Sequence, residues 1–157
     1  MTKEYSAPVE YLPHEPPMVL IDKVLYVDND KAVCECYVNY DGVLKPFLND
    51  QGQLPSFYCM ELLAQSIGVW SGFLSKENGQ DIPSVGMVIG CRGIKSKDTL
   101  YPSGSTLNIT VDKVLEDNAL ASFDGIIEID GEVFSKGRVT VIEVTDEQKH
   151  ELFKRNN

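Results

Sequence analysis

Leu54-Pro55-Ser56-Phe57-Tyr58-Cys59-Met60-Glu61-Leu62-Leu63-Ala64-Gln65-Ser66-Ile67-Gly68-Val69-Trp70-Ser71-Gly72-Phe73-Leu74 is the stretch that decides the fold of this chain. It reads as one long helix in a chain of strands. Ser56 is the expected N-cap, because a hydroxyl can accept from an orphan backbone N–H. Pro55 sits just outside, where its missing N–H costs nothing. Asn78-Gly79 supplies the stop. Leu63, Ile67, Trp70 and Leu74 make one apolar row, and Leu62, Val69 and Phe73 another. A helix apolar nearly all round is buried in a core or spans a membrane. Glu61, Gln65 and the lack of about 18 uninterrupted apolar residues argue against a span. The helix is therefore expected to be wrapped, and the rest of the chain supplies a sheet.

One stripe of this helix is polar and small: Glu61, Gln65, Gly68 and Gly72. Such a stripe lets another backbone or a slender ligand come close. Two readings of Glu61 stand. It favours the positive helix N-terminus, or it is a carboxylate placed in an apolar run for a functional reason, because burying one is costly.

Working outward, Leu12-Pro13-His14-Glu15-Pro16-Pro17 is a rigid, non-helical entry, and residues 1–11 are expected to be loosely ordered. Met18–Val27 reads as a strand. Residues 31–40 form the return strand, with Ala32, Cys34, Cys36 and Val38 on one side. Beyond Gly79, strands are expected from Ser84 to about Lys97, Thr106 to Leu115, Ala119 to Ile129 and Glu132 to Val144. Asp130-Gly131 is a hairpin turn. Residues 146–157 are a polar tail, and the core runs from about 12 to 145. The whole is read as a single α+β domain, 1–157: one antiparallel sheet wrapped around a long central helix, the hotdog fold. A single such sheet leaves an edge strand open, and pairing of two protomers edge to edge is the expected remedy.

The composition narrows the function. Of 157 residues, 43% are hydrophobic, enough for a sizeable core, and the net charge is −10, which argues against nucleic acid and anionic membrane as partners. No apolar segment follows Met1-Thr2-Lys3-Glu4-Tyr5, and Cys34, Cys36, Cys59 and Cys91 read as reduced thiols, so a cytoplasmic location is expected. Two histidines leave little for a Cys/His zinc site, so no metal is expected.

Three stretches carry a resemblance. Leu12-Pro13-His14 with Pro17–Val24, then Leu54-Pro55 with Glu61-Leu62-Leu63-Ala64-Gln65, then Tyr101–Leu107 together resemble the 3-hydroxyacyl-[acyl-carrier-protein] dehydratases FabZ and FabA. The family's catalytic histidine, in a G-H-F-P motif, falls here on Leu48, within Phe47-Leu48-Asn49-Asp50. That departure is shared by the ApeP-like branch found with aryl polyene gene clusters, and the chain is most similar to that branch. The resemblance implies a hotdog dimer, an acyl thioester on acyl carrier protein as ligand, and no cofactor.

Dehydration of such a thioester needs a base, an acid and donors for the enolate-like oxygen. Glu61 matches the family's acid and is expected to lie in apolar surroundings. Free N–H groups at the helix N-terminus, around Phe57 and Tyr58, are the expected donors to substrate. Gln65 is placed to orient Glu61 across one helical turn or to touch substrate. His14 is either a relocated base or a structural histidine of the entry segment. Asp50 is a turn former or a substitute base, and His150 belongs to the charged tail. Arg92, Lys95, Lys97, Lys136 and Arg138 are either a docking patch for an acidic carrier protein or ordinary solubilising charges. Three functions remain: a dehydratase acting alone, a non-catalytic or half-catalytic subunit paired with a histidine-bearing hotdog partner, and an acyl thioesterase.

Overall fold

In a computed structural model, which describes residues 3–82 and 85–144 together with Glu151 and Lys154, the expected helix is present. It is α1, Cys59–Glu77, and Asn78 caps its C-terminus. Gly79 follows with φ +68°, and the amides of Gly79 and Gln80 return to the carbonyls of Lys76 and Ser75 at 3.1 and 2.8 Å. A positive φ there is why a glycine ends the helix.

The start differs from the expectation. Leu54–Pro55 is a short strand, β3, and Ser56–Tyr58 is a 3-10 turn leading into α1. No side chain caps α1. The Ser56 amide instead donates to the Thr99 carbonyl at 2.9 Å. This continues the pairing of β3 with β5, Leu100–Tyr101. Ser56→Ala is accordingly expected to change stability by less than about 0.5 kcal/mol, against about 1 for loss of a working cap. Urea unfolding of the two proteins checks this.

Six strands wrap the helix: β1 (Lys23–Val27), β2 (Lys31–Tyr37), β4 (Val85–Ser96), β6 (Thr106–Asp117), β7 (Leu120–Ile129) and β8 (Glu132–Val144). They form one antiparallel sheet in the order β1-β2-β6-β7-β8-β4. This is the α+β hotdog arrangement. Strands β6, β7 and β8 form a meander, but β4 does not lie beside β6. It crosses to the far edge against β8, and the chain returns through β5 to place β6 beside β2.

The concave face follows the period of two. Ala32, Cys34 and Cys36 on β2 stand opposite Val111, Ile109 and Leu107 on β6, and all six are fully buried. Burial pushes the Cys34 thiol up to about 12 and that of Cys36 well above its usual range, so both stay as thiols that pack like small hydrophobes. Across from them lie Leu62, Leu63, Ile67, Val69 and Trp70 of α1. Full burial of such a side chain contributes about 1.5–3 kcal/mol, so the helix is held on several sides at once.

Two N-terminal expectations are corrected. Residues 18–22 do not join the ladder, and β1 begins at Lys23. The Asp22 amide still donates to the Glu35 carbonyl of β2 at 3.0 Å, but the groups before it go elsewhere. Leu20 donates to Gln65 Oε1 at 2.9 Å and Met18 offers its carbonyl to Gln65 Nε2 at 2.8 Å, while the Asp22 carboxylate takes the Tyr37 amide at 2.7 Å. Nor are the described residues before Tyr11, 3–10, loose. Pro8–Glu10 is a 3-10 turn, the Tyr5 and Tyr11 rings pack edge-on to Phe73, and the Ser6 amide donates to the Tyr11 hydroxyl at 3.0 Å. The stretch from Tyr5 to Asp22 is thus a strap laid over α1.

The glycine stripe explains how the strap fits. A Cβ on Gly72 would lie 2.0 Å from the Tyr11 carbonyl oxygen, and one on Gly68 would lie 2.8 Å from Leu12 Cδ2. The close backbone that the stripe admits is the chain's own. The expected tail, 146–157 with His150, lies outside the described residues except for Glu151 and Lys154, which are helical and exposed.

Candidate active site

A cavity of about 160 Å³ lies between the strap, α1 and the end of the sheet formed by β4, β8 and the β6–β7 turn. One end is lined by Pro13, His14, Glu61 and Gln65. It then follows Ala64 and Gly68 to Ser71, where Glu143 and Asn118 close the far end. Ten residues of helix separate Glu61 from Ser71, so the cleft runs for about 15 Å.

Glu61, Gln65 and His14 converge at one end of this cleft. Gln65 is 1% exposed. Its Nε2 donates to Glu61 Oε1 at 2.9 Å and to the Met18 carbonyl, while its Oε1 takes the Leu20 amide. Both amide protons are therefore committed. Gln65 joins helix, strap and Glu61, and its hold on the carboxylate is the i,i+4 contact expected of the sequence. Its amide protons are not available to a ligand.

His14 Nε2 stands 3.9 Å from Glu61 Oε1, with side chains 35% and 44% exposed. That separation is too long for a direct hydrogen bond and leaves room for an oxygen bridging the two. Glu61 is not buried within the chain, contrary to the apolar enclosure expected from its neighbours in sequence. The other ring nitrogen of His14, Nδ1, is buried and has no hydrogen-bond partner among the described residues. A neutral imidazole carries its proton on one nitrogen and accepts at the other. Nδ1 is without such a partner whether it carries the proton or the lone pair. The other nitrogen therefore decides: a lone pair on Nε2 would face the oxygen of the Glu61 carboxylate, whereas a proton there faces an acceptor. The neutral ring therefore keeps its proton on Nε2.

Phe57 and Tyr58 are not brought to this cleft. They sit in the 3-10 turn before α1, outside the cavity lining, with Phe57 73% exposed and the Tyr58 ring edge-on to Phe47. Asp50 is also outside the lining and exposed, in a loop organised by Asn49, whose Oδ1 accepts from the amides of Gln51 and Gln53. The sequence reading missed the far end of the cleft. Ser71 donates to the Glu143 carboxylate there. Ser71 lies three residues past Gly68, next to the small stripe, which is the one local signal for it. Glu143 comes from the end of β8 and has none.

Two surface features adjoin the site. Strand β4 is an open edge, and Met87, Val88 and Ile89 on it are 40–53% exposed, as is Met60 nearby on α1 at 44%. Gly86 and Val88 of the same strand line the cleft. Farther along, Arg92 stands opposite Arg138 and Lys95 opposite Lys136 across β4 and β8. Arg138 is held by Asp124 at 2.8 Å. Like charges directly opposite on neighbouring strands are destabilising, so this grouping on a chain of net charge −10 calls for a reason. Among the described residues, no group of three or more His, Cys, Asp or Glu is placed to hold a metal ion, and no helix is long and apolar enough to cross a membrane.

Residues 6–153 match the family described as ApeP-like, the ApeP dehydratases. The chain is 32% identical over 135 residues to the 3-hydroxyacyl-[acyl-carrier-protein] dehydratase FabZ of Streptococcus agalactiae, covering 83% of this chain and 91% of that protein. The FabZ of Streptococcus sanguinis is 33% identical over the same length. Among solved structures, the dehydratase heterocomplex ApeI:P from Xenorhabdus doucetiae contains a chain that superposes with a TM-score of 0.92 at 37% identity, covering 96% of this chain and 99% of that one. A hypothetical thioesterase from Streptococcus pneumoniae, with coenzyme A, superposes at 0.59 with 16% identity over 78% of this chain and 85% of that one, a likeness of fold alone.

Proposed function

The chain belongs to the ApeP-like family of FabZ-related hotdog dehydratases, and from that premise we propose that it handles 3-hydroxyacyl thioesters carried on acyl carrier protein, in fatty acid or aryl polyene assembly, as one subunit of a cytoplasmic hotdog dimer. The observation that carries this reading is the convergence of Glu61, Gln65 and His14 at one end of a cleft that runs along α1. Glu61 is the proton-transfer group, Gln65 positions it, and the acyl chain lies toward Ser71. The open edge of β4 is where a second subunit adds, covering Met87, Val88 and Ile89 and enclosing the cleft. Free thiols at Cys34, Cys36, Cys59 and Cys91 support a reducing compartment.

A heteromeric arrangement is the second reading. It is favoured by the loop before α1, which presents Leu48 where the FabZ resemblance leads one to seek a histidine, and by the similarity to a heterocomplex. Mass detection of enoyl product from a short 3-hydroxyacyl carrier-protein thioester separates the readings. The chain is assayed alone and mixed with a histidine-bearing hotdog subunit. Product from the chain alone supports a homodimeric enzyme, and product in the mixture alone supports a paired half-site. No product in either arrangement sinks the dehydratase reading.

The Arg92, Lys95, Lys136 and Arg138 group is the proposed docking face for the acidic carrier protein. Lys95→Glu combined with Lys136→Glu spares the Arg138–Asp124 pair. It is expected to raise KM for a carrier-protein thioester roughly tenfold at low salt, since charge steering is worth about 10-fold or more. Turnover of the same acyl group on pantetheine should not change. Equal loss on both substrates would assign these cations to something other than docking.

A further inference from the structure

We propose that His14 is the donor to the thioester oxygen and not the base, and that Glu61 alone carries the proton from the substrate's α-carbon to its departing hydroxyl. The inference rests on the dehydratase reading and assigns the roles within it.

Three observations point the same way. The first is the setting of the His14 ring: Nε2 faces the Glu61 carboxylate, an acceptor, while Nδ1 has no partner among the described residues to hold a proton, so the neutral ring's proton is favoured on Nε2. A ring whose cleft-facing nitrogen already bears a proton cannot take another there, but it can donate. The second is the distance of 3.9 Å between His14 Nε2 and Glu61 Oε1, which leaves substrate atoms space between a donor and a carboxylate. The third is a vacancy in the donor set. The helix N-terminal segment at Phe57 and Tyr58 is outside this cleft, and both protons of the Gln65 amide are committed. Of the side chains lining the Glu61 end, His14 is the one with an uncommitted N–H among the described residues.

The chemistry balances with one carboxylate. Glu61, ionised, removes the proton from Cα, and the electron pair of that bond moves into the thioester carbonyl. The resulting enolate oxygen is held by the His14 Nε2–H. Collapse of the enolate forms the Cα=Cβ bond and breaks the Cβ–O bond. The hydroxyl leaves as water with the proton that Glu61 had taken, and Glu61 is again a carboxylate. His14 keeps its proton throughout, so no oxidant, metal or second base is required. A preorganised donor aimed at the developing oxyanion is a large contributor to such a reaction.

The test combines a spectroscopic readout with a rescue, in whichever assembly turns over, alone or with a second subunit. With two histidines in the chain, ring nitrogen NMR of labelled protein resolves both, and His14→Gln assigns them. The expected tautomer of the neutral His14 ring is Nε2–H. Glutamine puts an amide N–H close to the place of Nε2 but cannot exchange protons at neutral pH. His14→Gln is therefore expected to stay within about tenfold of wild type in kcat, and His14→Ala to fall by about 10²–10³-fold, the usual cost of losing an oxyanion donor. A ring protonated on Nδ1, or a His14→Gln protein as inactive as His14→Ala, overturns the inference. The ring signals are read without substrate, so this inference can fail in a fully active dehydratase. The dehydratase reading fails separately, by turnover.

Discussion

Glu61→Gln is expected to abolish nearly all dehydration, lowering kcat by about 10²–10⁴-fold while the protein stays folded. Glutamine has the size and shape of glutamate, and its carbonyl oxygen can still accept from Gln65 Nε2, which lies 2.9 Å from Glu61 Oε1. It cannot take the α-proton or return it to the hydroxyl. Because the Glu61 side chain is 44% exposed, the exchange neither opens a cavity nor buries an unpaired amide. Its effect on unfolding free energy should fall within about 0.5 kcal/mol. Thioester binding, followed by KM or by an unreactive analogue, should move little. A Glu61→Gln protein that dehydrates at near wild-type rate would take proton transfer away from this carboxylate altogether.

Gly72→Ala is expected to destabilise the fold by about 1–3 kcal/mol, the range found when a well-packed contact is overfilled. The sign is informative, because alanine in a helix interior is otherwise favoured over glycine by up to about 1 kcal/mol. Here the added methyl would lie 2.0 Å from the Tyr11 carbonyl oxygen and 2.7 Å from its carbon. Those are backbone atoms and cannot rotate aside, so the strap must lift. Lifting it uncovers Tyr11 and Leu12, which are 5% and 3% exposed, and loosens the Tyr11 contact with Phe73. Gly68→Ala is the control. Its methyl would meet the far end of the Leu12 side chain at 2.8 Å, which can turn away. Denaturant unfolding should rank Gly72→Ala well below Gly68→Ala. Equal stability of the two would mean that the strap does not lie on α1 as described.

What the sequence made legible was what repeats locally. A buried helix shows itself by apolar residues on every side, and β2 and β6 by strict alternation through Ala32, Cys34 and Cys36 and through Leu107, Ile109 and Val111. The glycine stripe announced a close approach but not its partner. Residues 18–22 have the composition of a strand and are not one, because Gln65, some 45 positions away, takes the Leu20 amide and the Met18 carbonyl that a neighbouring strand would have taken. Ser56 has the chemistry of a cap, yet it opens the 3-10 turn ahead of α1, and Tyr58 stands at the cap position. The edge position of β4 depends on a crossover that periodicity does not encode. At the candidate site, Glu61 and Gln65 were readable because one helical turn joins them. The meeting of His14 with Glu61 came from the motif in the entry segment, and Glu143 from the far end of β8 had no local sign at all.

The Gln65 amide ties two events into one equilibrium. The same group that holds the Met18 and Leu20 backbone also holds Glu61 Oε1. When the strap opens, even briefly, the amide loses its anchors on both sides and the carboxylate loses its fixed orientation. Such local openings cost less than global unfolding. Under the proposed role of Glu61, the fraction of molecules with its carboxylate correctly aimed is set by the closing constant of residues 11–20, and a substitution that shifts that constant is expected to change turnover as a change in the number of competent molecules. The Leu20 amide, bonded to the very group that aims Glu61, exchanges with solvent through the same opening and so serves as a clock for it.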